Sequence, residues 1–175
     1  MENAGTAEGA SKAAADAVAR ASREDGRVAV GVDVQEVEAF AEGAEQLMAG
    51  VSLDTLVPLL RRNFTGAELE YCRAAPDCAS SLAARWAAKE AVFKALSSAS
   101  GGRLASAGGG APMAGAEVVV PKGGGAPELR LTADFMATVR AAGVQVAGNG
   151  AGLSLSLSHS GNQAVAVVAV NQASS

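Results

Sequence analysis

The sequence predicts an α+β domain in which an antiparallel sheet packs on one long central helix. Three observations carry this. Residues 153–158 read LSLSLS, the period-two alternation of a half-buried strand, and residues 164–170 read AVAVVAV. Only the polar run 159–163 separates them, so they form an antiparallel hairpin. Residues 28–34 read VAVGVDV, a short apolar run rich in β-branched residues that fits a buried strand. Between these, Leu82, Ala83, Trp86, Ala87, Ala91 and Phe93 give an apolar stripe at helical spacing, the longest helix of the chain.

The elements follow in order. Residues 1–26 are Ala, Gly, Ser and charge; they bury little and are expected to be a flexible tail or linker. The domain is then 27–171, with a short tail at 172–175. After the first strand, Glu36 to Met48 predicts a helix interrupted at Gly43. Asp54 is the expected N-cap of a helix reaching Arg62, although Pro58 fits its first turn awkwardly. Thr65-Gly66-Ala67-Glu68 is a capping-box pattern, and the helix it opens ends before Pro76. Ser80 or Ser81 is the expected cap of the long helix, which runs to about Ser98. Residues 99–112 read as loop. Ala116–Val120 and Glu128–Leu131 are short strands around a glycine turn at 123–125. Thr132 caps a helix ending at Gly143, and 147–152 form a glycine-rich loop. His159 to Gln163 is the turn of the hairpin.

Composition narrows the function. The chain has 175 residues, enough for one domain, and a net charge of −4 with no basic cluster larger than Arg61-Arg62. Nucleic acid is therefore not an expected partner. No run of about 18 apolar residues predicts a membrane span, and no signal-peptide pattern opens the chain. Cys72 and Cys78 are read as free thiols in a reducing, cytoplasmic setting, and one histidine makes a structural zinc site unexpected. Met1 followed by the unpatterned tail fits a piece of a longer protein slightly better than a free enzyme.

Four features can carry chemistry, each with a plainer alternative. Glu90 and Lys94 lie at i and i+4 on the long helix, as in any solvated helix pair. Asp33 ends an apolar strand, where a carboxylate is costly unless it is paired, caps a turn or binds a cation. Mg²⁺ suits such a place, because it takes one or two carboxylates together with phosphate and water oxygens. His159, between Ser158 and Ser160, is either a loop histidine or a phosphate contact. The glycine-rich stretches at 101–110 and 147–152 match no phosphate-loop or dinucleotide pattern and read as connectors.

Together these pieces resemble the 4′-phosphopantetheinyl transferases, and more closely the transferase domain of fungal-type fatty acid synthase α chains. That domain is related to the stand-alone holo-acyl-carrier-protein synthases. The resemblance spans about 28–170. It rests on Gly31-Val32-Asp33-Val34, on Arg62-Asn63-Phe64-Thr65 with Glu68 and Glu70-Tyr71-Cys72, on Arg85-Trp86-Ala87-Ala88-Lys89-Glu90-Ala91-Val92-Phe93-Lys94, and on Ser156-Leu157-Ser158-His159-Ser160 with 162–167.

The resemblance implies that family's fold and its reaction, transfer of 4′-phosphopantetheine from coenzyme A to a serine of an acyl carrier protein, releasing 3′,5′-ADP. It implies Asp33 and Glu90 as Mg²⁺ ligands, Glu90 as general base, and Lys94 as the neutraliser of pyrophosphate charge. Val34, Gln35, Tyr71, Ser81, Arg85, Ser100, Leu157, Ser158 and His159 match further coenzyme-contacting positions. It also implies a homotrimer whose sites are completed by two copies. One position departs from the pattern: Gln35 stands where the synthase domains usually have glutamate, so Glu36 or water would have to replace a third acidic ligand. The rival reading is a catalytically inactive scaffold domain of a megasynthase.

Overall fold

The computed structural model describes residues 28–106, 113–121, 125–146, 148, 150 and 152–172. Strand β1 (Val28–Glu36) leads through a 3₁₀ turn (Val37–Phe40) into α1 (Ala41–Met48). A second 3₁₀ turn (Leu53–Thr55), α2 (Pro58–Asn63) and α3 (Gly66–Ala74) precede the long helix α4 (Cys78–Ala99). Then come α5 (Arg103–Ser106), a 3₁₀ turn (Met113–Gly115), β2 (Ala116–Val119), β3 (Glu128–Leu131) and α6 (Ala133–Ala141). The hairpin β4 (Leu153–Ser160) and β5 (Gln163–Asn171) closes the domain.

The strands form two antiparallel sheets, ordered β1-β5-β4 and β2-β3. Helix α4 lies across the three-stranded sheet and is buried on most of its circumference. One core fills the space between α4, both sheets and α6, around Ala91, Val92, Leu96, Val118, Phe135 and Val168. A second joins the first half of α4 to α1, α2 and α3, around Phe40, Leu60, Leu69 and Leu82. Trp86 is half-buried at its edge, stacked on Phe64 with ring centroids 6.3 Å apart. The α+β class with a long central helix is as the sequence predicts.

Several local expectations are corrected. Asp77, not Ser80 or Ser81, caps α4: its carboxylate accepts from the Ser80 N–H (3.0 Å) and hydroxyl (2.6 Å). The Ser80 bonds hold the Asp77 carboxyl below the usual carboxylate range. Cys78 is accordingly the first helical residue and buried. Asp54 caps no helix; α2 begins at Pro58, whose missing N–H costs nothing at a first helical position, so the misfit disappears. Gly43 does not interrupt α1; it is buried within the helix, and a Cβ there would come 2.8 Å from the Leu60 side chain of α2. The stretch 99–106 is not all loop, and β4 runs on through His159 to Ser160. The hairpin turn is only Gly161-Asn162, with Gly161 at φ 57°. The tail 1–26 and parts of the loops at 101–110, 123–125, 147–152 and 172–175 lie outside the described residues.

The capping box at Thr65 is present and does more than cap. Glu68 is fully buried and meets the fully buried Lys89 of α4 at 2.9 Å. The Glu68 carboxylate also accepts from the N–H groups of Thr65 (2.9 Å) and Val118 (3.0 Å). Lys89 donates further to the carbonyls of Met113 (3.0 Å) and Ala116 (2.5 Å). Burial pushes the Lys89 pKa down while the Glu68 charge opposes it. The pair thus bolts α3, α4 and β2 together. Removing one partner strands a buried charge, so Lys89→Met is expected to destabilise the fold by about 3–5 kcal/mol. Adding Glu68→Gln to it should cost much less than the sum of the single changes, measured as urea midpoints in a double-mutant cycle.

Candidate active site

The site starts from a glycine. Gly31 on β1 faces α4 so closely that a Cβ would run into the Ala91 carbonyl oxygen and come 2.5 Å from the Ala95 nitrogen. Alanines 84, 87, 88, 91 and 95 leave the helix surface smooth enough for this approach. Two residues on, on the same face of the strand, Asp33 is brought against the helix and is 8% exposed.

Both Asp33 oxygens are engaged. Lys94 Nζ lies 2.5 Å from Oδ1, and Gln35 Nε2 donates to Oδ2 at 2.6 Å. Lys94 also donates to the Val32 carbonyl at 3.3 Å. Glu90, one helical turn before Lys94, is half-buried; burial first, and then the Asp33 charge, raise its pKa, with Lys94 opposing. The bond that orders Lys94 is therefore the one to Asp33 across the strand–helix contact. Two carboxylates face one ammonium in a partly buried niche. Among the described residues no group of three His, Cys, Asp or Glu is placed to hold a metal ion, so Glu36 joins no such set.

A second cluster lies on another side of α4. Arg85 is 4% exposed and donates from Nη1 to the Ser81 hydroxyl at 2.7 Å. Its guanidinium sits over the Tyr71 ring, 4.1 Å from the centroid. Among the described residues its Nε and Nη2 are buried without a hydrogen-bond partner. A guanidinium with an unsatisfied edge is suited to a phosphate or carboxylate oxygen. Ser81 also donates to the Cys72 sulfur at 3.3 Å, and burial pushes that thiol's pKa up.

The remaining predicted residues are divided by the sheet. Gln35, Ala164 and His159 form one row across the strands, and Val34, Val165 and Ser158 the next. Adjacent rows point to opposite faces. Asp33, Gln35, Leu157 and His159 are on the α4 side, and Val34 and Ser158 on the other. His159 lies near the Asp77 cap at the start of α4. Ser100 is fully buried; its hydroxyl donates to the Ser97 carbonyl and accepts from the Leu104 N–H, so it locks the end of α4. One chain therefore joins Asp33, Gln35, Glu90 and Lys94, and separately Tyr71, Ser81 and Arg85. Sequence reasoning missed Gly31 as a contact residue and Lys89 and Glu68 as a buried pair. The glycine inside a strand pattern was the available signal for the first.

A family model described as the 4′-phosphopantetheinyl transferase superfamily matches residues 29–157. The chain belongs to this superfamily. Among relatives of this transferase-family chain, the fatty acid synthase subunit alpha of Schizosaccharomyces pombe is 36% identical over 138 residues, which is 79% of this chain. That of Saccharomyces cerevisiae is 38% identical over 139 residues, again 79% of this chain. The match spans only 6% of the length of either subunit. In structure, the ACPS–CoA complex of Chronobacterium ammoniagenes aligns with a TM-score of 0.59 at 25% identity, covering 85% of this chain and 99% of that one. The acyl carrier protein synthase of Mycobacterium tuberculosis aligns with a TM-score of 0.54 at 30% identity, covering 83% and 97%.

Because the Asp33 niche depends on the glycine contact, Gly31→Ala should push β1 off α4. The expected result is a loss of about 1–3 kcal/mol in stability together with a loss of whatever ligand binding Asp33 supports. A melting temperature unchanged from wild type would show that the contact can yield without consequence.

Proposed function

We propose that this chain transfers 4′-phosphopantetheine from coenzyme A to a serine hydroxyl of an acyl carrier protein, with Mg²⁺, in fatty acid synthesis. The observation that carries the reading is the niche in which Gly31 brings Asp33 against Glu90 and Lys94, in a chain of the phosphopantetheinyl transferase superfamily. Two hard carboxylate oxygens beside an ammonium fit Mg²⁺, which completes its shell with phosphate and water oxygens. When bound, Mg²⁺ supplies charge neutralisation on the diphosphate.

The chain's own residues do the rest. Glu90, whose carboxyl is raised by burial, takes the proton from the serine hydroxyl. The serine oxygen forms a bond to the phosphorus that carries the pantetheine, and the bond to the leaving 3′,5′-ADP breaks. Lys94 meets the negative charge that collects on that leaving group, the kind of help this reaction class needs most. Arg85 offers its unpaired Nε and Nη2 to a phosphate of coenzyme A, framed by Ser81 and Tyr71. Val34, Leu157, Ser158 and His159 contribute at the hairpin end of the sheet.

The division of these residues between two sheet faces supports a site shared by two copies in a homotrimer. So does the apolar outer face, where Val32 and Val34 are 48% and 52% exposed. The free, buried Cys72 and Cys78 support a reducing, cytoplasmic setting. No helix among the described residues is long and apolar enough to cross a membrane.

The test is transfer of a labelled pantetheine arm from coenzyme A to an apo carrier protein with Mg²⁺, followed by product mass. An arm that never appears on any fungal-type carrier domain would leave the inactive-scaffold reading standing. Glu90→Gln should keep the fold and lose roughly 10²-fold or more in kcat. Sedimentation should give three times the chain mass, and mixing Glu90→Gln with Ser158→Ala, which lie on opposite faces of the sheet, should give more activity than either variant alone. A monomer with full activity would remove the shared site.

A further inference from the structure

The Asp33 carboxylate is the proposed ligand of a divalent cation, yet it has a tenant on each oxygen. Lys94 takes Oδ1 at 2.5 Å and Gln35 takes Oδ2 at 2.6 Å. The two tenants differ in kind. Gln35 is uncharged and two residues away on the same strand face, so its amide fixes the carboxylate plane and leaves its charge intact. Lys94 cancels that charge. A cation arriving at Asp33 meets a carboxylate already neutralised, with an ammonium of its own sign beside it.

Lys94 is also the tenant able to leave. Its side chain is 49% exposed, against 9% for Asp33. It also donates to the Val32 carbonyl at 3.3 Å, a longer and weaker bond. Four rotatable bonds let the ammonium swing on its stem while the helix stays fixed by Lys89 and Gly31. A coenzyme diphosphate entering the niche offers the ammonium a doubly charged partner, which is stronger than one carboxylate.

We propose that Lys94 and the divalent cation exchange at Asp33: the ammonium holds the carboxylate until the diphosphate draws it away, and the cation then takes its place. Cation and coenzyme binding are thereby coupled through one side chain, and the cation alone binds weakly. The exchange moves charges without making or breaking a covalent bond. It rests on the reading of Asp33 as a cation ligand and adds to it the order in which the partners arrive.

The experiment is Mn²⁺ binding to the full chain without coenzyme, by calorimetry and by the paramagnetic signal of free Mn²⁺. Lys94→Met should bind Mn²⁺ roughly tenfold more tightly than wild type, because both the competitor and the repulsion are gone. Lys94→Arg, which keeps the charge, should stay within about threefold of wild type, and Lys94→Gln should follow Lys94→Met. Coenzyme A should tighten Mn²⁺ binding by a larger factor in wild type than in Lys94→Met. Thermal melts of each variant without metal confirm that the fold is kept. Affinity in folded Lys94→Met and Lys94→Gln equal to or weaker than wild type overturns the exchange while leaving the cation site intact. Binding absent from every form, or unchanged in Asp33→Asn, overturns the exchange together with the cation reading beneath it.

Discussion

The structure depends on one close backbone contact, that of β1 with α4 at Gly31. Strands and helices ordinarily keep their axes apart by the thickness of two side-chain layers. Here one layer is missing on the strand and reduced to methyl groups on the helix, so β1 lies almost on the helix backbone. That is why short side chains suffice. An aspartate has little reach, yet Asp33 meets Lys94 across the gap at 2.5 Å. An ordinary spacing would demand longer residues, with more rotamer freedom to lose on ordering. The alanines of α4 that face β1, Ala91 and Ala95, are what such a contact requires.

Closeness alone would not aim the residues; the helix must also be fixed in rotation. Adjacent residues on an α-helix point about 100° apart. Lys89 and Glu90 use this. Lys89 is held by the Glu68 carboxylate and two carbonyls on the side toward α3 and β2. With that residue locked, Glu90 is turned toward the Asp33 side. Fully hydrogen-bonded buried charges are a costly way to gain stability, but they are directional, and an apolar pair in their place would tolerate rotation. The capping box at Thr65 belongs to the same device, since the Glu68 that closes it carries the ion pair.

How much of this was legible in the sequence follows from what each signal measures. Strands β1, β4 and β5 were readable because alternation and β-branching report burial of a sheet face, and the Thr65 and Thr132 caps because side-chain capping is local. The start of α4 was misread because Ser80 is a good cap residue by type, and only the geometry shows its hydroxyl donating to Asp77. Lys89 appears in the sequence only as one residue of the Arg85-to-Lys94 stretch, with no role of its own. Its burial depends on Glu68, 21 positions away, and no helical period reports a partner on another element. Asp33 and Glu90 could be named but not joined, since spacing along the chain says nothing of a strand crossing a helix.

The arrangement along α4 has a consequence for any long, multiply charged ligand. Arg85 and Lys94 are nine residues apart, about 13 Å of helix rise, and lie on different sides of the helix. A small anion can use one cation or the other, not both. A ligand that used both would have to be extended, carry separated negative charges, and bend around the half-exposed flank where Trp86, Glu90 and Phe93 lie. Trp86 and Phe93 are apolar residues left half-buried there, packed on the edges of the two cores. Charge at both ends with apolar surface between them selects for a ligand with the same order of properties. Under the proposed function the spacing along the helix would act as a ruler, favouring a ligand whose negative charges are separated to match.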